Sequence, residues 1–482
     1  MNVKPHRDSA DIVIVGNGVL AMFLACELAR RSAGRVSVVG PAAREGAASR
    51  AAGAMLGCFG EISKDTLSTD AGRAKFNLSR AAHKAWPDVL AEFAAFAAER
   101  GEELHHVEDS FIVLNTCGGM LDSVNFAGIV AALDEFGEPW SEVEPAEIIG
   151  YQPRTDARAL RVLHLPGEGA VDGRQILRLL EAKARSAGVS FVDAQVIGLE
   201  FERESVVGAR LTNGDVVAAD VVVVAAGAAS GTLLRREGLM PTFAGAGVAV
   251  VARRVQGEGF QSVVRTPNRS GSCGLHAVPL GDDREYIGAT NVLFEQPQTE
   301  AYLGIGNFLV DCAIQELDER IYLHRVVEWR VGNRPVALDG FPLVGWSDRA
   351  GLYILTGTYR DGFHCAPALV EHVASEIVDG DGVLDLPFSP TRPPIHFRSV
   401  EESVDEYVLH MMAGWFEAGG SAPSQISAET LSIIFRDQVR TLYDKLETTL
   451  GLPPEVLMFL LGAGSDMIRV LPILRYLKAT SA

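Results

Sequence analysis

Two glycines and an alanine near the amino terminus have the spacing of a dinucleotide-binding turn. Gly16, Gly18 and Ala21 follow an apolar run at residues 11–15 and precede a predicted helix at residues 22–31. Gly16 permits a tight turn, Gly18 lets the backbone approach a pyrophosphate, and Ala21 lets helix and strand pack closely. The helix amino terminus adds partial positive charge. This strand, turn and helix therefore predict a diphosphate-binding site.

The second predicted strand, at residues 35–39, does not end in the acidic residue that usually binds the adenosine ribose. Gly40 and Pro41 stand there instead, so the motif does not distinguish one dinucleotide from another. Arg44 could favour a 2′-phosphate, but as a lone arginine in a loop it is better interpreted as a solvated surface residue.

Composition excludes several classes of function. The 482 residues carry 43 Lys and Arg against 62 Asp and Glu, for a formal charge of −19. Because nucleic-acid binding depends on cationic side chains, we expect no nucleic-acid partner. No apolar run reaches the roughly 18 residues of a membrane span. Six cysteines without a Cys-x-x-Cys pair predict a reducing, cytoplasmic location, and the histidines lack ligand spacing, so no metal site is expected.

Further blocks follow the turn in a fixed order. Small residues dominate 45–57, and a Gly-Glu-Gly segment at 167–169 precedes a predicted helix at 174–186, a strand at 191–199 and a hairpin at Asn213-Gly214. The later blocks are a buried strand with a glycine turn at 221–231, Trp-Arg-Val-Gly-Asn-Arg-Pro at 329–335, Asp-Gly-Phe-Pro-Leu-Val-Gly at 339–345, and a strand with a glycine-bounded loop at 352–363.

Taken together, these blocks resemble the D-amino-acid oxidase superfamily of flavoproteins, and most closely its glycine oxidase branch, over residues 10–380. The resemblance implies noncovalent FAD and an α/β FAD-binding domain, Rossmann-like and doubly wound, plus an antiparallel-sheet α+β substrate domain. A small all-α carboxyl-terminal extension follows. The implied boundaries are 1–80, 165–240 and 341–390 for the FAD-binding domain and 81–164 and 241–340 for the substrate domain. Residues 391–482, which the family core does not usually carry, are the predicted extension.

The same resemblance implies the site residues. The residues expected to contact the cofactor are Gly16, Gly18, Ala21, Ser49, Arg50, Ala52, Gly53, Met55, Val196, Ala226, Gly227, Gly357, Asp361, Gly362 and Phe363. The residues expected at the substrate are Arg334, Arg360, His276 and Tyr359. Arg334 and Arg360 match the two arginines that bind the substrate carboxylate in glycine oxidases, a role that suits planar, permanently charged guanidinium groups.

Alternatives remain for the residues expected at the substrate. Arg334 could instead pair with an internal acid such as Asp339. His276 replaces a family tyrosine and could be a neutral hydrogen-bond donor, a titrating base or a packed side chain. Thr358 and Asp361 stand where the family more often has His and Asn, which puts glycine itself in doubt as the substrate.

The implied function is oxidation of the C–N bond of an amino acid or N-substituted amino acid, with hydride transfer from the α-carbon to flavin N5. The resulting imine hydrolyses to an oxo acid and an amine. The alternatives are a D-amino-acid or N-methyl-amino-acid dehydrogenase that uses an electron carrier, a hydroxy-acid oxidase, and a non-catalytic flavoprotein-like binding subunit.

The carboxyl-terminal residues predict a helical block after a proline-rich segment at 387–394. A capping box at Ser399 opens one helix, a second starts at Ser427, and a third starts at Pro453-Pro454. In the second helix, Leu431, Phe435, Val439, Leu442 and Leu446 form one apolar stripe. We expect the block to pack on the core; the alternative is a surface at 399–482 for a protein partner or a second subunit.

Overall fold

The computed structural model describes residues 11–235, 239–271, 274–417, 425–462 and 467–480. Their strands are β1 (Ile12–Val15), β2 (Val36–Val39), β3 (Met55–Leu56), β4 (His106–Val107), β5 (Ser110–Asn115), β6 (Ser141–Glu142), β7 (Ala159–Leu165), β8 (Gly169–Val171), β9 (Ser190–Val192), β10 (Val196–Glu202), β11 (Ser205–Leu211), β12 (Val216–Ala218), β13 (Val221–Val224), β14 (Thr242–Arg253), β15 (Val263–Arg265), β16 (His276–Pro279), β17 (Arg284–Gly288), β18 (Val292–Phe294), β19 (Arg325–Ala337), β20 (Leu343–Trp346) and β21 (Leu352–Thr356).

The α-helices of the described residues are α1 (Val19–Arg30), α2 (Ala48–Ala51), α3 (Asp70–Glu99), α4 (Met120–Phe136), α5 (Gly173–Ser186), α6 (Ser230–Leu234), α7 (Leu303–Glu316), α8 (Ala366–Val378), α9 (Val400–Glu417), α10 (Ala428–Leu446), α11 (Pro454–Gly462) and α12 (Met467–Thr480).

A six-stranded sheet in the order β20-β21-β13-β1-β2-β9 forms the centre of the molecule. Its pairs are parallel except for β20 with β21. Successive side chains of a strand point to opposite faces. Ile12 and Ile14 accordingly pack with α1, α3, α5 and α8, whereas Val13 and Val15 face the other side. This sheet and its helices confirm the predicted Rossmann-like class.

The second face of this sheet is covered by the antiparallel strands β10, β11 and β12 and by the carboxyl-terminal helices. The predicted single strand at 191–199 is therefore wrong, because β9 and β10 belong to different sheets. A turn separates them, in which Asp193 accepts a hydrogen bond from the amide of Ala42 at 2.8 Å. The predicted hairpin at Asn213-Gly214 is confirmed, since it joins β11 to β12.

A larger sheet in the order β18-β14-β17-β16-β15-β5-β7-β6 forms the second layer, and β19 pairs along β14. All of its pairs are antiparallel except β15 with β5. Arg334 of β19 lies opposite Gly245 of β14, and a Cβ at Gly247 would lie 2.4 Å from its Nη1. The small residues of β14 thus make room for this guanidinium.

The carboxyl-terminal helices begin where the sequence predicts. The Ser399 amide donates to Glu402 Oε2 at 2.7 Å, which confirms the capping box before α9, and Ser427 caps α10. The α10 stripe is buried against the core, so its packing is also confirmed. Helix α12 is an additional helix that the sequence does not predict.

The proline-rich segment is fixed to the core. Phe388 is completely buried, and Arg392 pairs with Asp339 at 2.5 Å. The predicted alternative of an Arg334–Asp339 pair is therefore wrong, because Asp339 binds a different guanidinium.

Candidate active site

The first glycine of the dinucleotide motif is required by close packing between two strand ends. Gly16 has φ of +116°, and a Cβ there would lie 2.4 Å from the carbonyl oxygen of Ala225, just after β13. Either feature alone disfavours any other residue.

The amino end of α1 is open towards a ligand. A Cβ at Gly18 would have one neighbour within 4 Å among the described residues, Ser49 Oγ at 3.2 Å, and at Gly227 it would have none. Ser49 Oγ accepts a hydrogen bond from the amide of Val19 at 2.9 Å. Uncovered backbone at a helix amino terminus suits a diphosphate, so the residues present fit FAD.

The arginine after β2 is not a solvated surface residue, and that expectation is wrong. Arg44 donates through Nε to the carbonyl oxygen of Asn17 at 2.9 Å and pairs through Nη2 with Glu181 at 2.8 Å. Because Glu181 balances its charge, Arg44 also offers little attraction for a 2′-phosphate.

The segment after Ser49 runs towards the large sheet. A Cβ at Gly53 would lie 2.8 Å from the Tyr286 ring and 3.3 Å from His276 Nε2, so glycine permits this approach. Arg50 is exposed and donates to the carbonyl oxygen of Ala43. Ala52 and Met55 are partly buried beside these residues, and Met55 lies in β3.

His276 lies buried in β16 and stacks on Tyr286, with ring centroids 5.7 Å apart. Its Nδ1 is 2.8 Å from the carbonyl oxygen of Gly274, so Nδ1 carries the proton and Nε2 is an acceptor. Burial, followed by the charges of Arg265 and Arg334, lowers the pKa of His276 to about 4, although the Gly274 bond opposes the shift. The side chain is therefore neutral at neutral pH and offers a lone pair at Nε2.

Arg334 and Tyr359 meet through an asparagine that the sequence reasoning missed. Arg334 Nη1 donates to Asn291 Oδ1 at 3.3 Å and to the carbonyl oxygen of Thr290 at 2.9 Å. Asn291 Nδ2 donates to the Tyr359 hydroxyl at 2.9 Å. The structure thus brings two predicted substrate residues into one hydrogen-bond network.

Arg360 lies on the ring of Tyr359, with its guanidinium carbon 5.2 Å from the ring centroid. It also interacts with Glu61, another residue that the sequence reasoning missed. Burial raises the pKa of Glu61, but Arg265, bonded at 2.5 Å, and then Arg360 outweigh burial and lower it to about 2. Glu61 is therefore a permanent anion among cationic groups.

The turn that carries Glu61 is held by Glu168, from the Gly-Glu-Gly segment. Glu168 is buried and accepts hydrogen bonds from the backbone amides of Cys58 at 2.6 Å, Gly60 at 3.0 Å and Phe59. Burial raises the pKa of Glu168, and the three amides oppose this shift.

The remaining predicted cofactor residues lie in several elements of the fold. Asp361 pairs with Lys75 at 3.0 Å. Phe363 is buried and stacks on Trp86, with centroids 6.3 Å apart. The other members are Ala21, buried in α1; Val196, at the start of β10; Ala226, just after β13; Gly357, with φ of +74°; and Gly362, packed on Thr358.

A cavity of about 220 Å³ extends from this cluster to the carboxyl-terminal helices. Glu61, Tyr359 and Arg360 line it. The residues of the extension that line it include Phe397, Arg398, Glu406, His410 and Glu455. Residues of the extension therefore line the space next to Arg360.

Two further properties concern the described residues as a whole. Within them, no three His, Cys, Asp or Glu side chains are placed to bind a metal ion, and no helix is long and apolar enough to cross a membrane. The described free thiols are Cys26, Cys58, Cys117, Cys312 and Cys365. Cys273 lies outside the described residues.

Comparison with known proteins agrees with this fold. A family model described as DAO, FAD dependent oxidoreductase, matches residues 11–376. The chain belongs to this family and is an FAD-dependent oxidoreductase similar to glycine oxidases.

The glycine oxidase of Geobacillus kaustophilus (strain HTA426) is 28% identical over 392 residues, which cover 79% of this chain and 97% of that protein. The crystal structure of glycine oxidase from Geobacillus kaustophilus has a TM-score of 0.66 at 24% identity, over 80% of this chain and 99% of that one. Iminodiacetate oxidase from Chelativorans sp. BNC1 has a TM-score of 0.64 at 20% identity, over 79% and 98%. Helices α9 to α12 lie beyond the family match.

Proposed function

We propose that the chain oxidises the C–N bond of an amino acid or an N-substituted amino acid. The observation that carries this proposal is the network in which Asn291 joins Arg334 to Tyr359, with Arg360 on the Tyr359 ring. Two guanidinium groups in one region, in a chain of charge −19, provide local attraction for an anion. Arginine donors bind a carboxylate in a fixed orientation.

In this proposal, Arg334 and Arg360 bind the substrate carboxylate and thereby orient the α-carbon. His276 accepts an N–H of the substrate amine at Nε2, since its own proton is on Nδ1. The chemistry that bound FAD supplies is acceptance of a hydride from the α-carbon, after which water hydrolyses the imine to an oxo acid and an amine. Glu61 limits the excess positive charge around the arginines.

The same proposal assigns the residues that contact the cofactor and the limits of the domains. Gly16, Gly18 and Ala21 hold the diphosphate at the amino end of α1, and residues 49–55 run along the flavin. The FAD-binding domain comprises 1–80, 165–240 and 341–390, and the substrate domain comprises 81–164 and 241–340. Residues 391–482 form the extension.

The substrate is proposed to be larger than glycine. A cavity of about 220 Å³ continues past Arg360 to the carboxyl-terminal helices. Among the similar proteins, one is named for glycine and another for iminodiacetate, an N-substituted amino acid. A substrate with a side chain or an N-substituent would use the additional space.

An anaerobic screen tests this function. Purified protein that is yellow, or that becomes yellow with FAD, is mixed without oxygen with D- and L-amino acids, N-methyl amino acids and 2-hydroxy acids. We expect loss of flavin absorbance with one group of amino acids. Bleaching by 2-hydroxy acids alone would contradict the proposal, and a protein that cannot bind FAD would indicate a binding subunit. Readmitting oxygen, or adding a quinone, then distinguishes an oxidase from a dehydrogenase.

Arg360→Ala tests the carboxylate site. We expect kcat/KM to fall by about 100-fold or more, because a charged ligand loses a buried charged partner, while FAD content stays unchanged. Arg210→Ala is the matched control, since Arg210 pairs with Glu200 at the surface. If both variants retain wild-type kcat/KM on every active substrate, Arg360 does not bind the carboxylate.

A further inference from the structure

We propose that His410, in helix α9 of the carboxyl-terminal extension, is a positioning residue for Arg334 and Tyr359, the two site residues that Asn291 joins. This inference rests on the proposed function, because it assigns Arg334 to the substrate carboxylate. It also gives the extension a part in the site, in addition to its packing role.

The first step joins α9 to a turn before β16. His410 Nδ1 accepts a hydrogen bond from the amide of Gly271 at 2.9 Å. The backbone carbonyl of His410 accepts another from Ser270 Oγ at 2.6 Å. One residue of α9 thus binds two consecutive residues of the turn.

The orientation of the imidazole is fixed from its other side. His410 Nε2 lies 3.2 Å from Glu406 Oε1, one helical turn earlier, and Glu406 pairs with Lys64 at 2.6 Å. A carboxylate next to Nε2 favours the tautomer that carries its proton there. The lone pair of Nδ1 is then directed at the Gly271 amide.

The second step joins the turn to the site. The carbonyl oxygen of Gly271 accepts a hydrogen bond from Asn291 Nδ2 at 2.9 Å. The same nitrogen donates to the Tyr359 hydroxyl, and Asn291 Oδ1 accepts from Arg334 Nη1. Because Gly271 and Tyr359 take both Nδ2 protons, the amide has one orientation, with its oxygen towards Arg334.

A second helix of the extension also lies close to the turn. A Cβ at Gly271 would lie 3.5 Å from Met458 Sδ in α11, and the residue has φ of +54°. Helix α9 therefore holds the turn through its two hydrogen bonds, and α11 lies beside it. The Gly271 amide that binds His410 and the Gly271 carbonyl that binds Asn291 belong to successive peptide units joined at the Gly271 Cα. Loss of the bond from the amide to His410 would free the backbone torsions at Gly271 that aim the carbonyl at Asn291, so α9 affects the position of the Arg334 guanidinium.

The test uses the full-length, FAD-loaded protein and three substitutions. His410→Ala removes the acceptor. His410→Asn retains an oxygen at the position of Nδ1, and His410→Gln places its polar atoms one bond further out. His396→Ala is the control, because His396 is an exposed histidine of the same extension.

We measure KM and kcat on the best substrate from the screen, and the dissociation constant of benzoate from the change in flavin absorbance. In His410→Ala and His410→Gln we expect both KM and the benzoate dissociation constant to rise about five- to tenfold, the effect of one lost orienting hydrogen bond, with kcat within about twofold. His410→Asn should restore wild-type values, and His396→Ala should match the wild type.

The results separate this inference from the proposed function. If the wild type bleaches with no amino acid, the proposed function fails before His410 is considered. If the wild type is active but His410→Asn and His410→Gln have equal KM and benzoate affinity, His410 does not position the site. That comparison holds even if His410→Ala does not fold. A lower melting temperature with unchanged binding in all three variants would likewise reduce His410 to a packing residue.

Discussion

His276 and Glu61 have opposite protonation preferences within one group of buried residues. Burial dominates at His276 and lowers its pKa to about 4, so the ring stays neutral. At Glu61, Arg265 and Arg360 outweigh burial and lower the pKa to about 2, so the carboxylate stays charged. Between pH 5 and 8 neither group changes its charge, so neither alters the field around Arg334 and Arg360.

The neutral state of His276 leads to a prediction about pH. We expect the profile of kcat/KM against pH to show no ionisation near 6.5 that is due to this residue, and His276→Gln to leave the shape of the profile between pH 5 and 8 unchanged. Because its folded pKa lies below the unfolded value of about 6.5, the folded state loses stability as pH falls from about 6.5 to 4. An ionisation near 6.5 that disappears in His276→Gln would contradict the prediction.

The residues expected from the resemblance are those with a recognisable local motif. Arg334 precedes a proline, and Arg360 lies in a glycine-bounded loop, so each can be found from neighbouring letters. Glu61, Asn291 and His410 come from distant segments and meet after folding. Their spacing in the sequence carries no signal, which is why the sequence could not indicate them.

Among the elements, the turn at residues 58–61 depends on a carboxylate from another segment. Glu168 precedes β8 and binds three successive amides of the turn. These amides are buried, and without an acceptor each would lose a hydrogen bond it cannot regain from water. The position of Glu61 therefore depends on Glu168.

We expect Glu168→Gln to lower the free energy of unfolding by about 3 kcal/mol, because one amide oxygen cannot serve three donors and the new NH₂ group faces an N–H. The same change should lower kcat/KM by moving Glu61. Denaturant unfolding and steady-state kinetics measure the two effects. Glu138→Gln is the control, since Glu138 is a more exposed partner of His83. Equal stability of the two variants would contradict the prediction.

Elements with strong local signals were predictable. Helix α10 has both a serine cap and an apolar stripe, and α9 has a capping box, so their starts agree with the structure. The division of 191–199 into β9 and β10 was not predictable from periodicity. A strand that leaves one sheet for another keeps its β-forming residues, and the turn between the two strands is bonded to a distant residue, Ala42, through Asp193.

For the whole molecule, the junction of α9 with the core contains more buried acid than base. Arg269 pairs with Asp122 at 3.0 Å and with Glu316 at 2.6 Å, and Glu417 lies close to this group. Burial raises the pKa of Glu417 to about 7, which Arg269 opposes and Asp122 reinforces. Stability should therefore depend on pH near neutrality.

The direction follows from proton binding. Between about pH 4.5 and 7 the folded state holds a proton on Glu417 that the unfolded state has released, so stability falls as pH rises. From pH 5 to pH 8, we expect the free energy of unfolding of Glu417→Gln to fall by less than that of the wild type, and the difference should be on the order of 2 kcal/mol. Denaturant unfolding at both pH values measures it, with Glu401→Gln as an exposed control. A Glu417→Gln variant with the same loss as the wild type would refute the assignment.

The apolar cluster beneath the extension is continuous with one face of the six-stranded sheet. Val13 and Val224 belong to the same buried group as Val439 of α10 and Leu457 of α11. The extension is therefore part of the folded core. A truncation near residue 390 would expose the second face of the six-stranded sheet to water. Descendants of this chain could lose the last helices only together with substitutions that make that face of the sheet polar.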